Sequence, residues 1–220
     1  MSGTVTLVET QRKQRGRVNI YIDDQFAFSL TNIVAESAGL RQGLQLADCE
    51  IRSLLERDSY QRAFDTALNF LSYRPRSEAE VRANLRRKKI AEDVVDRVME
   101  RLRETKLVDD SSFAEYWLQN RETFSPRGWR AIRMELRHKG VPQETIDETL
   151  PGEGDEAQNA YRAASKKATK IGTGDFREFR QKLGAYLVRR GFDYDVVSSV
   201  VGRLWRELKD KATESESAQR

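Results

Sequence analysis

A short segment recurs in this chain at a fixed interval. Leu85–Ile90 (LRRKKI) returns as Leu136–Val141 (LRHKGV) and again as Leu187–Phe192 (LVRRGF), each time 51 residues on. Apolar positions keep the same step: Val81, Ile132 and Leu183 upstream, Val95, Ile146 and Val197 downstream. Self-similarity at one period marks a repeat protein, in which no unit buries its apolar face alone and neighbours support one another. The chain therefore reads as mainly α: three tandem three-helix repeats forming an elongated array.

Within each repeat the period is helical. In the first, Phe64, Ala67, Leu68 and Leu71 share one helix face. Pro75 ends that helix, because the residue before a proline is driven out of the helical region. Ser77 and Glu80 have the spacing of a capping box for the helix carrying Val81 and Leu85. A third helix holds Val94, Val95, Val98, Met99 and Leu102. The second repeat follows the plan: Asp109 and Asp110 before Phe113, Trp117 and Leu118, then Ser125-Pro126 as N-cap and first turn for Trp129, Ile132 and Leu136. Gly140 stops that helix and Pro142 opens the next. Trp117 and Trp129 take core positions. The third repeat carries Tyr161 and Ala164, Phe176 to Leu187, and Val196 to Leu208.

Ahead of the repeats stands a small element of another kind. Thr4–Val8 is β-prone, and Val18–Ile22 and Phe26–Leu30 flank Asp23-Asp24-Gln25 as a β-hairpin. A short helix around Ile33 and Val34 is stopped by Gly39, and Asp48 can cap another with Ile51, Leu54 and Leu55. The organisation expected is an N-terminal hairpin and short helices over 1–58 and repeats over 59–108, 109–150 and 157–210. A linker over 151–156 starts at Pro151–Gly154, and a polar tail over 211–220 is expected to be disordered.

Composition narrows the chemistry. One cysteine allows no intramolecular disulfide, and Cys49 reads as a small buried hydrophobe. With no apolar run long enough for a signal peptide or membrane span, a reducing, cytoplasmic setting is expected. One His and one Cys cannot build a zinc cluster, and Gly172-Thr-Gly174 lacks the spacing and lysine of a phosphate loop. Asp109-Asp110 suits a helix cap, and His138 a surface helix end. No catalytic residue, metal ligand or cofactor site emerges, and the chain reads as non-enzymatic.

Cations gather instead. Arg82, Arg86 and Lys89 share one flank of the second helix in repeat one, as Arg130, Arg133 and Arg137 do in repeat two. In repeat three Gly184 and Val188 replace two of these arginines. Solvated surface neutralised by nearby carboxylates explains much of this charge. Arg76 and Arg127 differ, since both sit near helix N-termini, where the dipole disfavours a cation and favours an anion. The net charge of +4 and pI near 9.2 permit a polyanionic partner.

Several of these stretches resemble one family. Leu71–Glu80 with its arginine-flanked proline, Leu107–Ala114 (LVDDSSFA), Ser125–Gly128 (SPRG), Glu135-Leu136 and Lys139–Val141 occur in the order and spacing of the RecX family of recombination regulators. The similarity runs from Gly16-Arg17 to about residue 208. Lys89 stands where a glycine is common, and the third repeat diverges most. The resemblance implies a non-enzymatic modulator that binds filaments of the RecA recombinase on DNA, chiefly single-stranded, along the helical groove. Such modulators inhibit ATP hydrolysis and strand exchange, and a cytoplasmic monomer without cofactors is implied. The contact residues expected are Arg74, Arg76, Arg82, Arg86, Lys89, Arg127, Arg130, Arg133 and Arg137. The competing reading is a direct DNA-binding module of helix-turn-helix type. Acidic residues nearly as numerous as basic ones speak against it.

Overall fold

The computed structural model describes residues 2–12, 16–150 and 156–217. Four strands come first: β1 (Gly3–Thr10), β2 (Arg17–Ile22), β3 (Gln25–Thr31) and, after helix α1 (Asn32–Ser37), the two-residue β4 (Gln45–Leu46). They form one antiparallel sheet in the order β3-β2-β1-β4. Asp23 and Asp24 both have positive φ, 49° and 62°, between the paired Ile22 and Gln25. A two-residue hairpin of type I′ needs that conformation at both central positions. Asp23 spends its carboxylate on the Thr4 amide, 3.1 Å away. The β1–β4 pairing was not legible in the sequence.

Helix α2 runs unbroken from Asp48 to Leu71, through the boundary expected at 58/59. No Pro or Gly interrupts it. Its first half closes the sheet's core with Ile51 and Leu54, and its second half joins another core through Ala63 and Ala67. Asp58 lies between them, buried inside the helix, where its carboxylate accepts from the Thr31 amide (2.6 Å) and faces Arg17 (3.5 Å). Arg17 therefore helps anchor the sheet on α2. Glu50, not Asp48, reaches back to the Ala47 amide at the helix start. Cys49 is exposed, against expectation. It sits two positions from Ile51, about 200° around the helix from the core face.

The remaining helices are α3 (Glu78–Arg87), α4 (Glu92–Glu104), α5 (Asp110–Phe124), α6 (Trp129–His138), α7 (Gln143–Thr149), α8 (Glu156–Ile171), α9 (Phe176–Arg189) and α10 (Tyr194–Ser217). They complete three tandem three-helix repeats, α2–α4, α5–α7 and α8–α10, each with its own core. Spatially the chain divides into two units: Met1–Arg76 with Glu80–Val108, and Ser77–Ala79 with Asp109–Arg220. The first holds the sheet and the core of Val81, Leu85, Val95 and Met99.

The second unit holds the cores around Ile132 and around Leu183. One joint is built twice in it. Ser77 Oγ donates to the Lys139 carbonyl (2.5 Å) and the Glu78 amide to Asp110 Oδ1 (2.9 Å). The Gly128 amide, 51 positions after Ser77, donates to the Arg190 carbonyl (3.0 Å), and the Trp129 amide to the Glu156 carboxylate. A carboxylate at the first residue of α5 or α8 thus satisfies an amide that a helix start leaves unpaired.

Other details depart from the sequence reading. Ser125 ends α5 rather than capping α6, whose N-cap is Gly128. Glu156, expected in the linker, opens α8, while 151–155 lie outside the described residues. The tail expected to be disordered is helical to Ser217; residues 218–220 are not described. Lys, Ala and Glu in that stretch are good helix formers, which propagate a turn already started. Asp109 caps α5 as expected, accepting from the Ser111 and Ser112 amides at 3.2 Å.

Candidate functional site

The nine predicted contact residues divide by what they already touch. In the loop that Pro75 forces between α2 and α3, Arg74 turns onto Glu80 through both terminal nitrogens (2.8 and 3.2 Å). Among the described residues Arg76 makes no ion pair. Its guanidinium lies 4.0 Å over the Phe70 ring, and its Nε is buried without an acceptor. Burial, and then the neighbouring Arg74, lower its pKa from the ordinary value, with Glu80 opposing. This cation is under-compensated, and an anion brought against it would gain from that.

Arg127 occupies the same place 51 residues later, and its Nε too is buried without an acceptor. Its terminal nitrogen reaches Glu135 Oε1 at 2.8 Å. Glu135 also accepts from Trp117 Nε1 and Arg121 Nε, both at 2.7 Å. The Trp117 ring has the Arg121 guanidinium 4.5 Å and the Lys139 ammonium 4.3 Å from its centroid. Glu135 thus serves two cations, Arg121 and Arg127, with Lys139 against the Trp117 ring and exposed Met134 and His138 beside them. Arg121, Glu135 and Lys139 were missed as site residues. The signal was the pairing of Trp117 with Arg121 and Glu135 with Lys139 at four-residue spacing, one helical turn apart. Trp117 is half-buried, so its expected core role holds for one side of the ring only.

The arginine stripes on α3 and α6 are mostly occupied. Arg82 pairs with Asp96 at 2.6 Å and Glu92 at 3.8 Å. Arg86 grips Glu92 with two nitrogens, Nε at 2.9 Å, which lowers the Glu92 pKa and raises that of Arg86. Arg133 faces Asp147 at 3.6 Å, and Arg137 Nε donates to Gln143 at 2.7 Å. The reason is the repeat itself: the flank of the second helix faces the early turns of the third, where acidic and amide residues favour the positive helix end. Arg130 and Lys89 are exposed and, among the described residues, make no ion pair or side-chain hydrogen bond.

Among the described residues no group of three His, Cys, Asp or Glu side chains is placed to hold a metal ion, and no helix is long and apolar enough to cross a membrane.

These features define a class: a small antiparallel sheet followed by tandem three-helix repeats that carry arginine clusters at repeated positions. Family models match it in four successive parts. They are described as the regulatory protein RecX N-terminal domain over residues 3–47, and the RecX first, second and third three-helix domains over 63–102, 109–150 and 154–201. The chain belongs to the RecX family. It is 32% identical over 215 residues to the regulatory protein RecX of Bacillus subtilis (strain 168), covering 97% of this chain and 81% of that one. To the Leuconostoc mesenteroides regulatory protein RecX it is 33% identical over 209 residues, covering 94% and 78%. A crystal structure of a regulatory protein RecX superposes with a TM-score of 0.68 at 26% identity, over 91% of this chain and 98% of that chain. RecX from Lactobacillus salivarius gives 0.60 at 25% identity, over 67% and 97%.

Proposed function

We propose that the chain is a non-enzymatic modulator of the RecA recombinase, which binds RecA–DNA filaments along their groove and restrains ATP hydrolysis and strand exchange, so regulating recombination and repair. Membership of the RecX family, whose members compared above carry the name of regulatory proteins, supports the reading. The observation that carries it to particular residues is the recurrence of Arg76 and Arg127: two arginines one repeat apart, each with a buried, unpartnered Nε. Repeated cations of this kind suit a partner that presents the same anionic group again and again, as an assembled filament does. Several such contacts raise avidity beyond that of one site.

On this reading Arg76, Arg127, Arg130 and Lys89 make the principal contacts. Arg74, Arg82, Arg86, Arg133 and Arg137 contribute by giving up or sharing the carboxylate or amide partners they already hold. The protein works as a cytoplasmic monomer, takes no cofactor, and meets single-stranded DNA through the filament or by weak direct contact. The test is RecA ATP hydrolysis on single-stranded DNA, titrated with this protein at constant salt beside a bare-DNA binding control. Inhibition at well below one protein per RecA subunit is expected. Unchanged hydrolysis together with tight, steeply salt-dependent binding to bare DNA overturns the proposal in favour of a DNA-binding module.

A further inference from the structure

Among the described residues, the third repeat lacks the ion pairs that join the second and third helices in the first two. Where α6 carries Arg133 and Arg137 facing Gln143 and Asp147, the positions 51 later are Gly184, Val188, Tyr194 and Ser198. Gly184 and Val188 offer no polar group on the second helix where Arg133 and Arg137 reach across to the third. What remains between α9 and α10 is an open groove of about 590 Å³.

Large apolar side chains stand exposed in its walls among polar ones: Phe176 is 43% accessible, Val188 54% and Tyr194 68%. Three large hydrophobic side chains left in water around one concavity are a mark of binding surfaces. Its floor includes glycines in helix interiors, at Gly184 and Gly202. A glycine inside a helix is destabilising against alanine. No described residue demands a glycine at position 202, where an added Cβ would meet no atom within 4 Å. The space is kept open rather than filled from within.

Helix α9 also begins four residues earlier in the repeat register than α6, capped by Asp175, whose carboxylate accepts from the Arg177 and Glu178 amides. That extra turn brings Phe176 and Arg177 to the groove, with Arg180 just beyond it. Neither arginine has a carboxylate partner among the described residues. Arg180 reaches only the Tyr194 hydroxyl, at 3.3 Å. No lining residue is acidic.

We infer that this groove is a docking site for an acidic segment of a partner protein, which sets a bulky apolar side chain over Gly184 and Gly202 and carboxylates against Arg177 and Arg180. The apolar floor selects a side chain rather than a phosphate backbone, and the rim selects its flanking charge.

The experiment needs no recombinase, so its outcome is separate from that of the proposed function. A display library of random short peptides is selected on the full chain, and the winners are titrated against the 15N-labelled protein. Selected sequences should join a large apolar residue to flanking Asp or Glu and shift the Gly184 and Gly202 amides. Binding should weaken roughly tenfold or more in Gly202→Leu and in the Arg177→Glu/Arg180→Glu double variant. Gly202→Leu is a helix-favouring change into open space, so a raised Tm beside lost binding separates a blocked groove from a damaged fold. No selected peptide, peptides indifferent to both variants, or stronger shifts at these glycines with oligothymidine would overturn the inference.

Discussion

Gly128 and Gly191 meet backbone to backbone in the second unit: a Cβ built on Gly128 would stand 2.0 Å from the Gly191 carbonyl oxygen. Gly128 caps α6, and Gly191 follows α9 in the left-handed region at φ 83°. The Gly128 amide donates to the Arg190 carbonyl beside it. A Cβ on Gly191 would in turn stand 2.5 Å from that of Ala131. Glycine is required at this crossing for close approach at one partner and for both approach and conformation at the other.

Gly128→Ala should therefore destabilise the second unit by about 3 kcal/mol, the upper end for overpacking, because the obstacle is main chain and cannot swing away. Gly174→Ala, where an added Cβ meets nothing within 4 Å, should stay within about 0.5 kcal/mol of the parent. Urea unfolding of the two variants checks the contrast. Equal stability would show that the crossing relaxes.

Lys89 takes the position of Gly140 and Gly191 in its own repeat and holds the same left-handed conformation, at φ 60°. A side chain there costs about 1 kcal/mol that glycine avoids. Lys89→Gly should raise stability by about that amount in thermal or chemical unfolding. A loss of stability would mean that the lysine side chain outweighs the strain.

Glu156 is buried, and burial raises its pKa above the ordinary value, with the hydrogen bonds from the Trp129 and Asp193 amides opposing. A carboxyl that holds its proton more tightly when folded favours folding below the unfolded pKa. That contribution is lost as pH rises through the folded value. Glu156→Gln, which can still accept the Trp129 amide, should gain on the parent as pH climbs from about 4 to about 7. Unfolding free energies of both proteins across that window decide it: parallel curves would assign the group no such role.

Arg76→Ala and Arg127→Ala should each weaken inhibition of RecA ATP hydrolysis roughly tenfold, the worth of a charge-assisted contact. Arg86→Ala, whose side chain already grips Glu92 in solvent, should change it by about threefold or less. Circular dichroism checks that the cation–π contact between Arg76 and Phe70, worth about 0.5–1 kcal/mol, has not cost the fold. The reverse order of effects would place the contact on the α3 flank.

How far the sequence reached differs from residue to residue. The Asp23-Asp24 turn, the Asp109 cap and the 3.6-residue pattern of Leu183 and Leu187 depend on neighbours within a turn or two of chain, and all were legible. The 51-residue period extended that local reading to three repeats, and the placing of a cation near a helix N-terminus singled out Arg76 and Arg127. Only the tertiary structure decided that Arg82 and Arg86 are tied to Asp96 and Glu92 while Arg130 is not, that Glu135 collects Trp117, Arg121 and Arg127, and that Phe176 and Cys49 face solvent. It also decided that Ser125 ends α5 while Gly128, packed against Gly191, caps α6. Helices, turns and caps are set by short-range geometry written into consecutive residues. Which charge is spent and which remains available depends on groups that folding brings within about 4 Å, whatever their separation along the chain.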